Sequence, residues 1–177
     1  FGAAQPDGSP EGMRYKGIEP TGPLPAEINF PLIERSENKQ FEALLFADTQ
    51  PQTTRELDYI RDEVVAELVG SDAAFGMTMG DIMFDDLSML PRYNAIISKI
   101  GIPWYNVPGN HEINFESPND RYSLETFKKF YGPPYFAFEY GDASADAASF
   151  ATRRLPDLEV YTAKPNLRVK MNDRKLC

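Results

Sequence analysis

The sequence predicts an α/β protein with a parallel sheet, and three observations predict it. Strand-like and helix-like segments alternate through residues 41–142. Their spacing requires crossover connections, which put consecutive strands in parallel with helices packed on the sheet. The 177-residue chain is also 42% hydrophobic and 12% aromatic, enough to bury a core.

Taken in order, Phe41 to Ala47 is a short apolar run with the length of a buried strand. Thr53 and Glu56 then have the spacing of a capping box, and Leu57, Ile60, Val64 and Leu68 follow on one helical face until Gly70. Ala73 to Met79 reads as the second strand. Ser88 to Ile100 is the second helix, with Pro91 near its first turn, an apolar stripe of Tyr93, Ile96, Ile97 and Ile100, and Gly101 after its end. Ile102 to Val107 is the third strand, on which Trp104 and Tyr105 take opposite faces of the sheet. Ser123 to Tyr131 is a short helix whose Phe127, Phe130 and Tyr131 belong to the core. Tyr135 to Tyr140 alternates like a half-exposed strand.

Charge and composition divide the chain into three parts. Residues 1–40 form a Pro/Gly-rich lead or linker, with Pro6, Pro10, Pro20, Pro23, Pro25 and Pro31 and little periodicity; such a segment lies along a surface or joins something upstream. Residues 1–142 carry 11 basic and 23 acidic side chains, net −12, whereas 143–177 carry 7 and 4, net +3. The last part therefore reads as a weakly packed basic tail. A start at Phe1 is what a processed or excised piece would show.

An overall charge of −9 and the lack of a Lys/Arg stripe argue against binding to a nucleic-acid backbone. No segment approaches the ~18 consecutive apolar residues of a membrane span. Cys177 is the sole cysteine and His111 the sole histidine, which excludes an internal disulfide and a site built from several imidazoles of this chain. No glycine-rich phosphate loop follows the first strand, so a nucleotide-binding doubly wound domain is discounted.

In parallel sheets ligands gather beyond the carboxyl ends of the strands. The first strand ends in Asp48-Thr49-Gln50, the second in Gly80-Asp81 with Asp85 and Asp86 following, and the third in Gly109-Asn110-His111-Glu112. Carboxylate, amide oxygen and imidazole suit divalent metals, and a two-metal site needs one carboxylate able to bridge both ions. Taken singly, Asp48 reads as a cap or strand end, and Asp85 and Asp86 as helix caps that favour the dipole.

Together these motifs resemble the calcineurin-like metallophosphoesterase family, whose pattern is D-x-H, then a G-D motif, then G-N-H-[DE], each at a strand end. The resemblance covers about 41–142 and implies the first β-α-β-α-β part of a metallophosphoesterase-like α/β sandwich. It implies metal-dependent hydrolysis of a phosphoester by a two-metal site with a metal-bound hydroxide, using Mn, Fe or Zn. In that scheme Asp48 and Gln50 bind the first metal, Asp81 bridges, and Asn110 binds the second. His111 stands beside the metals as proton donor or transition-state stabiliser, and Glu112 orients it. The substrate is a small phosphoester or a phosphorylated macromolecule. The lead from Gly22 to Leu32 is similar to the joint ahead of the catalytic domain in secreted bacterial members, which implies a periplasmic or secreted location.

The sequence departs from that pattern twice. Gln50 stands where many members carry a histidine, and the family's three downstream histidine ligands have no counterpart, the tail offering only Asp146, Asp157, Glu159 and Asp173. Arg153, Arg154 and the lysines of 164–175 read as a solvated basic tail. A second reading is therefore a non-catalytic or truncated module that keeps half of the fold and acts by binding or self-association through an open strand edge.

Overall fold

The computed structural model describes residues 5–23, 25–27, 29, 40–140, 143–147 and 168–169. Three short strands form its centre: β1 (Ala43–Phe46), β2 (Phe75–Met79) and β3 (Trp104–Val107). β2 lies between the other two and is parallel to both, with Gly76 opposite Leu44 on one side and Trp104 on the other. The sequence expectation of a parallel β-α-β-α-β unit is met, each strand being two or three residues shorter than its apolar run.

The first crossover is helix α1, which begins in α geometry (Thr54–Tyr59), continues as a π-helical stretch (Ile60–Val65) and closes with one further turn (Ala66–Leu68). Its start is the capping box read from the sequence: the Thr53 side chain accepts from the Glu56 N–H, and the Glu56 carboxylate accepts from the Thr53 N–H. The second crossover is helix α2 (Leu90–Ile97), with 3₁₀ turns before it (Leu87–Met89) and after it (Ser98–Ile100). Pro91 sits in its first turn, where the missing N–H costs nothing, and Gly101 ends it at φ 87°, a left-handed turn that glycine takes without strain. Helix α3 (Glu125–Tyr131) follows a 3₁₀ turn at Asp120–Tyr122.

Strand alternation sorts the side chains into two layers. On one face Leu44, Phe46 and Trp104 pack with α1, α2 and α3 around Leu57, Val65, Leu87, Leu90, Tyr93, Ile96, Ile97, Ile100 and Phe127. Each fully buried aliphatic side chain there contributes about 1.5–3 kcal/mol relative to exposure. Three polar groups in this layer are linked, the Trp104 Nε1 donating to Thr78 Oγ1 at 2.9 Å and Thr78 Oγ1 lying 3.0 Å from the Tyr93 hydroxyl, whereas the buried Asn106 Oδ1 has no hydrogen-bond partner. Burial pushes that phenol up to about 12, so it stays neutral. Trp104 fills the space above Gly76, where any side chain would overlap the indole ring.

The opposite face is covered by a hairpin of β4 (Phe136–Tyr140) and β5 (Ala143–Ala147), paired antiparallel. Phe138 stacks on Tyr105 at 4.7 Å between ring centres and meets Phe75 edge-on at 5.1 Å; Phe41 meets Tyr140 edge-on at 4.7 Å. Trp104 and Tyr105 thus take opposite faces, as the sequence predicts. Phe127 and Tyr131 belong to the core, but Phe130 is exposed and is not a core residue. The composition break near Asp142 falls inside this hairpin, so 143–147 is a paired strand rather than loose tail. A last short strand, β6 (Arg168–Val169), pairs antiparallel with β1. The sheet order is β3-β2-β1-β6. Arg153, Arg154, Lys164, Asp157, Glu159 and Asp173 lie outside the described residues, as does the side chain of Asp146.

The lead is docked where it is described. The Tyr15 carbonyl accepts from Asn114 Nδ2 at 2.8 Å and Thr126 Oγ1 at 3.0 Å. Gln5 and Ser9 donate to the buried carboxylate of Glu125 at 2.6 and 2.8 Å, and Lys128 donates to its other oxygen at 2.8 Å. No helix among the described residues is long and apolar enough to cross a membrane.

Candidate metal centre

Because β1, β2 and β3 are parallel, their carboxyl ends fall on one edge, and the chain leaves each through residues able to bind a cation. Asp48, Gln50 and Asp81 all take positive φ, at 50°, 36° and 48°, and they are the only non-glycine residues that do so among those described. Asp tolerates this region better than most residues; Gln does so at a cost of order 1–3 kcal/mol, which persists only where surrounding contacts hold it.

Those contacts tie the first two strand ends together. The Gln50 N–H donates to the Asp81 carbonyl at 3.1 Å, and Thr49 Oγ1 donates to the Ile82 carbonyl at 2.8 Å. The Gln50 side-chain amide then lies between two carboxylates: Nε2 donates to Asp48 Oδ1 at 3.2 Å and to Asp81 Oδ2 at 3.1 Å. One N–H₂ group bridging two carboxylates from neighbouring strands marks where positive charge is favoured. Turned about its last bond, the amide would present its oxygen instead, giving three oxygens around one point.

The third strand end closes on the second through glycine. A side chain at Gly109 would overlap the Asp81 carboxylate and backbone nitrogen, and Gly80, at φ 87°, lies against Gly109. The His111 N–H donates to Asp81 Oδ1 at 3.2 Å, so both Asp81 oxygens have donors. Asn110 is exposed at the start of a 3₁₀ turn (Asn110–Glu112), beyond the end of β3.

The His111 ring is held on two sides. Its Nδ1 lies 2.8 Å from Asp85 Oδ1, and the Phe84 ring stacks on it at 4.6 Å between centres. A carboxylate only accepts, so Nδ1 carries the hydrogen and Nε2 is left for proton exchange. The helix-cap expectation divides here. Asp86 does cap, accepting from the Ser88 N–H at 3.0 Å, and the Ser88 donors hold its carboxyl below the usual range; Asp85 instead serves the imidazole.

Glu112 is fully buried behind this turn. Its oxygens accept from the Met83 N–H at 3.0 Å and the Gly109 N–H at 2.7 Å, so it ties the second strand-end loop to the third. Burial pushes its carboxyl up, with the nearby Asp81 charge adding, against the opposing pull of those N–H donors. Its contacts fix the loop from which His111 projects.

The strand ends thus bring together Asp48, Gln50, Asp81 and the His111 backbone, with Glu112 behind them and Asn110 at the rim. Two carboxylates and two amides are the donor types that hard or borderline divalent ions take. Among the described residues no three His, Cys, Asp or Glu side chains gather as a metal-holding group. Sequence reasoning missed the Asp85 and Phe84 contacts to His111 and the docking of Tyr15 beside them. No family model matches the chain, and no curated protein matches its sequence.

Proposed function

We propose that the chain carries the strand-end half of a metallophosphoesterase-like fold and a site for metal-dependent phosphoester hydrolysis. The observation that carries this reading is the Gln50 amide shared by Asp48 and Asp81, all three on left-handed backbone at adjacent strand ends. Asp48, Gln50 and Asp81 would hold the first ion and Asp81 with Asn110 a second. Divalent ions at such a site supply charge against phosphoryl oxygens and acidify the attacking water.

The chain's own groups account for the rest. Asp85 keeps the His111 proton on Nδ1, so that Nε2 accepts a proton from solvent and delivers it to the departing oxygen of the ester. Phe84 fixes the plane of the ring. Glu112 holds the Gly109 and Met83 N–H groups and with them the relative placement of Asp81 and His111.

The test is the number of Mn²⁺ or Zn²⁺ ions bound per chain, compared with Asp81→Ala. The reading expects two ions, with binding lost in the variant, and phosphoesterase activity that depends on them. One weak ion that survives Asp81→Ala, or none, would overturn it. His111 is the sole histidine, which favours the second reading, a binding module without a complete centre; that reading expects one ion or none and no hydrolysis.

A further inference from the structure

We infer that Tyr15, from the lead segment, is a positioning residue for the His111–Asp85 pair, stapling together the two loops that carry them. The inference deepens the proposed function and rests on it for the pair's chemical role.

The geometry is specific to Tyr15. Its hydroxyl donates to the Asp85 carbonyl at 3.1 Å and to Asp86 Oδ1 at 3.2 Å, on the loop that follows β2. Its carbonyl accepts from Asn114 and Thr126, three and fifteen residues beyond His111 on the segment that follows β3. One residue therefore grips both sides of a pair whose own link is the 2.8 Å contact between Nδ1 and Asp85 Oδ1. The Asp85 backbone held by Tyr15 belongs to the same residue whose carboxylate holds the imidazole, so the staple fixes where that carboxylate starts. Burial, and then the charge of Asp86, push the Tyr15 phenol above its usual range, which keeps it a donor. The exposed Arg14 lies over the Tyr15 ring, its guanidinium carbon 5.1 Å from the ring centre.

A carboxylate held in place favours the Nδ1–H form of the neutral ring; a carboxylate free to swing away lets Nε2–H compete. His111 is the only histidine, so ¹⁵N-histidine labelling of the full chain gives one pair of ring-nitrogen signals. With Nδ1 held 2.8 Å from Asp85 Oδ1, the neutral ring of the wild type is expected to show predominantly Nδ1–H. Tyr15→Phe keeps the ring and both carbonyl anchors, and is expected to lower the ratio of Nδ1–H to Nε2–H between about twofold and tenfold, the effect of one hydrogen bond. Ser9→Ala loosens the lead elsewhere, at Glu125, and is expected to leave the ratio unchanged.

An unchanged ratio in Tyr15→Phe would overturn the inference, as would an equal fall in Ser9→Ala, which would mean that any loosening of the lead suffices. A Tyr15→Phe chain that does not fold would also overturn it, in favour of a purely structural role. The readout needs neither metal nor turnover, so a wild type that hydrolyses nothing refutes the proposed function and leaves this result standing.

Discussion

At the scale of single residues the site depends as much on missing atoms as on present ones. Asp81 receives donors from Gln50 and His111 only because Gly109 has no side chain in the space that the Asp81 carboxylate occupies. Gly109→Ala forces the third strand end away from the second. Overpacking of this kind costs about 1–3 kcal/mol, and if Asp81 holds an ion as proposed above, disturbing its surroundings weakens metal affinity about tenfold or more. Denaturation and ion titration of the variant check both; wild-type values in each would show that the two loops separate without cost. His111 shows the limit of local reading. Its neighbours Asn110 and Glu112 were legible as a motif, and Asp85 was legible as a cap from its place before a helix, yet the ring of His111 is what claims Asp85.

Whole elements were legible where their signals are local. The capping box of α1, Pro91 and Gly101 around α2, and the three apolar runs of the sheet each specify backbone within a few residues, and each forms as the sequence predicts. The lead was not legible, because what holds it is distant in sequence: Gln5 and Ser9 reach Glu125 across more than a hundred residues. Nor was β5, an Ala/Ser/Asp segment without strand character that acquires its conformation by pairing with β4. The attachment of the lead to α3 has a pH signature. Burial works against the charged form of Glu125, but Lys128, Ser9 and Gln5 outweigh it and hold the carboxyl below its usual range. A folded pKa below the unfolded one gives stability that is full above the ordinary carboxyl value, about 4.3, and is lost as pH falls through the folded value. Glu125→Gln is therefore expected to lose about 1–3 kcal/mol at pH 7, with the gap to the wild type closing on acidification. Urea denaturation at several pH values between about 7 and 3 measures the gap; a gap that stays constant would refute the ionic contribution.

At the scale of the molecule, the sheet is buried on both faces, by helices on one side and by the aromatic hairpin on the other. The hairpin cover depends on Phe138, which meets Phe75 and Tyr105 together. Phe138→Ala is expected to destabilise the fold by about 2–4 kcal/mol while leaving the ion binding proposed above unchanged once folded, because Phe138 packs on Phe75 and Tyr105 rather than on the strand-end residues; a joint loss of stability and of ion binding in calorimetry and ion titration would refute that separation. The Gly76 and Trp104 pair has a consequence of another kind. It works as a key in a lock: sliding β3 by one residue along β2 would press the indole against Phe75 or Met77 instead of the bare glycine. Such a slip moves a strand end by about 3.3 Å and turns its side chains over. An indole near the foot of the sheet, about 16 Å from Asp81 by strand rise, thereby sets the alignment in which Asp81 and Gly109 meet at the top.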